Sequence, residues 1–320
     1  MILGLEESYE ELVNIGYESM PLSPDQVRKD PILSCSASMC DILLEHSLSG
    51  LFPEVCGVWG IKADRQATGT IEFEGERVII LLTDALCMHL HQLRTFVSTS
   101  SWLTTHPDAR GLYEECKAYV SPSQCGELAQ MYGLAVTLAH EMGHRIDLSH
   151  LSDIAKIDPV ARESEEISAD GHAIGACLRI VEAFAYDQAA DDPEAQSALK
   201  RLGTMLLLLA SCVPFRINTL EAWRVDERDG YPVAAQRLVG SCVTAREHLR
   251  ELDGFFPKLY LLVLSGLAAQ GLYNGPTGIL ALALLESRFD MALVEQQYDA
   301  LGELLDQRIT DELRYILEQR

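Results

Sequence analysis

The stretch "LAHEMGHRIDLSH", residues 138–150, decides how this chain is read. His140 and His144 are four apart. An α-helix turns once in 3.6 residues, so both project from one face a single turn apart, within reach of one metal ion. Glu141 sits about 100° round the same helix, beside such an ion and able to act on a water there. The apolar residues upstream agree: Leu128, Met131, Ala135, Val136 and Ala139 recur at three- and four-residue spacing, which predicts a helix near 126–147.

A hydrolytic zinc site takes three protein ligands and keeps one position open. Two completions compete for the third. "HEMGHRIDLSH" resembles the metzincin pattern His-Glu-x-x-His-x-x-Gly-x-x-His, which would make His150 the ligand. Asp147, however, stands where glycine permits the sharp turn that swings the last histidine back, and no Met-turn follows. The other completion lies in "ESEEISADGH", residues 163–172. Asp158 as N-cap and Pro159 at the first helical position predict a helix over about 159–187. On it Glu166 and Asp170 are four apart and face the same way, so one can ligate while the other accepts a hydrogen bond from a ligand histidine.

The run His140-Glu141-Met142-Gly143-His144 followed, 22 residues after His144, by Glu166-x-x-x-Asp170 resembles the gluzincin zinc peptidases, the thermolysin-like and CAAX-protease-like groups. The resemblance covers roughly Thr70 to Cys177. It implies one Zn²⁺ ion held by His140, His144 and Glu166, with Glu141 as general base and Asp170 orienting a ligand. It also implies a zincin-like α+β fold in which the substrate lies extended beside an edge strand. "DGYPVAAQRL", residues 229–238, is similar to a segment that follows the active site in several of these families. On that reading Tyr231 and Arg237 would help to hold an oxyanion; on the plainer one, Pro232 starts a helix that carries a surface arginine.

The rest of the chain supplies context. An alternating run from Thr70, a turn at Gly75 and the β-branched "VIILL", residues 78–82, predict a hairpin over about 70–82. Thr83 or Asp84 then caps a helix. The expected division is a catalytic region at 1–190 and a mostly α-helical C-terminal lobe at 191–320. With 25 basic against 48 acidic residues, a net charge of −23 repels nucleic-acid phosphates and anionic lipid. Nine cysteines without a Cys-x-x-Cys pair suit reduced thiols, and the acidic N-terminal stretch lacks the pattern of an export signal. Leu259 to Leu285 is broken by Gln270 and "NGPTG", leaving runs shorter than the roughly 20 residues of a spanning helix. These features fit a cytoplasmic protein with membrane binding unlikely to be its role.

Other arrangements fit less well. A di-iron carboxylate site needs a second Glu-x-x-His, and the chain has none. His89 and His91 fall on different sides of a helix, and His106, His172 and His248 have no ligand-spaced partner. The sequence therefore points to a zinc metalloendopeptidase acting on a polypeptide. The alternative is a non-proteolytic protein of zincin fold, a binding or sensor protein whose C-terminal helices take a protein partner.

Overall fold

A computed structural model describes residues 1–74, 77–99, 102–105, 107–155, 159–215, 234–249 and 263. Tyr231, the hairpin turn at Gly75, His106, the cap at Asp158 and nearly all of the expected lobe beyond 250 lie outside the described residues. The chain is mostly helical with one three-stranded sheet, an α+β architecture.

Three helices open it: α1 (Leu5–Asn14), α2 (Pro24–Lys29) and α3 (Pro31–Leu43). Ser23 caps α2 through a reciprocal bond with Gln26, and Asp30 caps α3. A π-helical turn (Leu44–Leu48) and a short α4 (Ser49–Leu51) lead into β1 (Gly57–Lys62), β2 (Gly69–Glu74) and β3 (Arg77–Thr83). The sheet order is β1-β3-β2, with β1 parallel and β2 antiparallel to β3. β2 and β3 are the expected hairpin. β1 lies in a region whose boundaries the sequence left open.

Central β3 is buried on both faces, which explains its unbroken apolar run. Val78, Ile80 and Leu82 point into the main core, while Ile79 and Leu81 meet Val58 and Leu12 of α1. The sheet is thus a thin layer between α1 and a helical body.

That body begins with α5 (Asp84–Thr99), capped by the Thr83 hydroxyl, which accepts from Leu86 N at 3.1 Å. Short α6 (Trp102–Thr105) and α7 (Pro107–Cys116) precede α8 (Pro122–Ala155), a 34-residue helix. α9 (Pro159–Gln188), α10 (Pro193–Ser211) and α11 (Ala234–His248) complete it. α8 and α9 pack closely: a Cβ on Gly143 would lie 3.3 Å from the Ala169 Cα, so the glycine inside the His-Glu-x-x-His run sets their approach. The apolar run Met205 to Ala210 of α10 is wholly buried, and each large side chain in it contributes about 1.5–3 kcal/mol. These leucines enter the same core as α8 and α9, across the division expected near 190.

The nine cysteines form no disulfide with one another, and seven of them are buried. No helix among the described residues is long and apolar enough to cross a membrane.

Candidate metal centre

The site forms where α8 and α9 pack side by side. His140 and His144 present their Nε2 atoms 3.2 Å apart, as the one-turn spacing requires. From α9, Glu166 brings one carboxylate oxygen to 3.4 Å from His140 Nε2 and the other to 3.9 Å from His144 Nε2. One ligand atom from each of the three lies within 4.8 Å of the others, a buried group that can hold a metal ion. Two imidazole nitrogens and a carboxylate are a donor set suited to zinc and its neighbours.

Among the described residues the group consists of His140, His144 and Glu166. α8 stays helical through Asp147 to Ala155, with no turn where the metzincin pattern needs one. A position six residues after His144 on a continuous helix is about 240° round and about 9 Å along the axis. The side chain of His150 itself lies outside the described ones.

Both histidines are backed by carboxylates. His140 Nδ1 lies 2.9 Å from Asp170 Oδ1, the placement expected from the spacing of Glu166 and Asp170. His144 Nδ1 lies 3.3 Å from Glu165 Oε1, a contact that the sequence reading missed. One helix, α9, therefore supplies a candidate ligand and a carboxylate beside the Nδ1 of each histidine.

Arg237 of α11 turns inward here rather than lying on the surface, its side chain 11% exposed. Its Nε donates to Asp170 Oδ2 at 2.7 Å and its Nη2 to Oδ1 at 2.6 Å, while Glu166 lies 3.8 Å from Nη2. The guanidinium lies over the ring of Phe215, 4.3 Å from its centroid. These contacts differ from the oxyanion role expected of Arg237.

Glu141 is buried, 6% exposed, and reaches the sheet. A Cβ on Gly69 of β2 would fall 2.7 Å from both Glu141 Oε1 and Thr137 Cγ2, so glycine lets this strand lie against the carboxylate without displacing either side chain. Neither Gly69 nor Thr137 had a spacing that could announce it. The strand carrying Gly69 is an edge. Thr83 N donates to Thr68 O, so the alternation of an antiparallel pair turns the backbone groups of Gly69 and Ile71 away from β3. Among the described residues no strand pairs with that outer side.

The electrostatics are lopsided. Carboxyl groups of Glu141, Glu166 and Asp170 surround the guanidinium of Arg237, and Glu165 adds a fourth carboxyl beside His144. Burial pushes Glu141 up to about 7, with Glu166 and Asp170 adding to the rise and His140 and Arg237 opposing it. Burial alone would lower His140, but Asp170 and Glu166 outweigh it and hold the imidazole well above its usual value. His144 moves down, through burial and the charge on His140. The cluster thus retains protons that a divalent cation would replace, and the residues present fit such an ion.

No protein-family model, curated protein or solved structure matches the chain.

Proposed function

We propose that the protein is a zinc metalloendopeptidase of the gluzincin type, with a zincin-like arrangement of β2, α8 and α9. The observation that carries this reading is the convergence of His140, His144 and Glu166 beside a buried Glu141 that lies under an edge strand. His140, His144 and Glu166 hold the ion. Bound there, zinc polarises a carbonyl and makes water more acidic.

The protein's own groups do the rest. The outward backbone groups of Gly69 and Ile71 offer a ladder to an extended polypeptide, which supports a polypeptide substrate. Glu141, raised towards neutrality by burial, is suited to take the proton of the attacking water and pass it to the leaving amine. Asp170 and Glu165 hold the two imidazoles in the tautomer that presents Nε2 to the ion.

The test is a pair of variants assayed for zinc content and for digestion of a peptide library. Glu141→Gln should keep zinc and lose cleavage by at least about a hundredfold. Glu166→Ala should lose zinc and cleavage together. Full cleavage by Glu141→Gln would sink the mechanism. A wild-type protein that binds zinc and cuts nothing would instead indicate a non-catalytic zincin-fold binding or sensor protein.

A further inference from the structure

Among the described residues an arginine joins the centre from α11. Arg237, with a side chain 11% exposed, grips both oxygens of Asp170, and the Oδ1 it shares also faces His140 Nδ1 at 2.9 Å. Guanidinium, carboxylate and imidazole are therefore linked in series. Each link restricts a rotation. A two-point grip fixes the plane of the carboxylate, the carboxylate faces the imidazole across a 2.9 Å contact at Nδ1, and the Phe215 ring backs the guanidinium.

α11 is seated along α9, not merely touching it at one point. Beyond Arg237 and Asp170, a Cβ on Gly171 would lie 3.9 Å from Thr244 Oγ1, and His248 Nε2 is 3.6 Å from Glu182 Oε2. The contacts advance in the same direction on both helices.

We propose that Arg237 is a positioning residue of the metal centre: by clamping Asp170 it sets the plane of the His140 imidazole, so that seating of α11 and filling of the site favour each other. This rests on the metal centre described above and not on its being a peptidase. Because linkage is reciprocal, metal binding also holds α11 in place.

Cobalt(II) titration of the full-length chain tests it, using wild type, Arg237→Lys, Asp170→Asn and the double variant. Lysine keeps the charge but cannot make the two-point grip. Arg237→Lys should weaken cobalt binding about ten- to a hundredfold and alter the cobalt absorption spectrum. The double variant should bind no more weakly than the weaker single one, since Arg237 acts through Asp170. Wild-type affinity and spectrum in Arg237→Lys, or losses that multiply in the double variant, would overturn the proposal. Should the lysine variant fail to fold, Phe215→Leu loosens the same guanidinium with every charge kept, and about a threefold loss is expected; no loss there also overturns it. Peptide digestion is followed separately. A wild type that binds cobalt but cuts nothing refutes the peptidase reading alone.

Discussion

The two histidines of the site are the same residue, one helical turn apart, in unlike surroundings. His140 faces a carboxylate that is itself locked by a guanidinium, whereas His144 faces Glu165 directly. The consequence is opposite titration: His140 is pushed up and His144 down. Helix spacing decides that both point at one ion. The neighbours on α9 and α11 decide what each contributes.

The largest expected difference between the two sides is in stability. Asp170→Ala strands the buried guanidinium of Arg237, and removing one partner of such a pair costs about 3–5 kcal/mol. Glu165→Ala should cost less, about 1.5–3 kcal/mol, the contribution of one charge-assisted bond. Urea unfolding of the metal-free protein separates the two, and equal losses would break the distinction.

A smaller effect follows from Glu141. Its folded-state value of about 7 lies above the ordinary 4.5. The protonated form is therefore favoured by folding, a contribution complete below pH 4.5 and lost as pH rises through 7. Glu141→Gln should accordingly raise the Tm of the metal-free protein above pH 7, by a few degrees, and the gain should shrink towards pH 4.5. A gain independent of pH would contradict burial as the cause.

The finest test concerns protons. Near pH 7, zinc binding should release between about one and two protons per ion, chiefly from His140 and in part from Glu141. Calorimetry in buffers of different ionisation heat measures this, and no release would mean that His140 does not carry the proton its neighbours favour.

Part of this was legible beforehand because it obeys a helical period. His140, Glu141 and His144 follow from 3.6 residues per turn, and Glu166 with Asp170 from a spacing of four. The hairpin was legible from alternation and the "VIILL" run. β1 was not, because "GVWGIK" is buried almost throughout and so shows no alternation. Glu165 was adjacent to a recognised residue yet missed, since only the packing of α9 on α8 brings it to His144. Phe215 and Gly69 carry no periodic signal at all; they matter through close approach between distant segments. At Asp147, where the metzincin pattern needs a turn, α8 continues as helix.

The central claim is that His140, His144 and Glu166 hold one metal ion. An anomalous-difference map from crystals of the zinc-loaded protein tests it most directly. A single peak about 2.0–2.2 Å from an Nε2 of each histidine and an oxygen of Glu166 is the predicted result. A peak ligated by His150 instead of Glu166, or none between the two histidines, would contradict it.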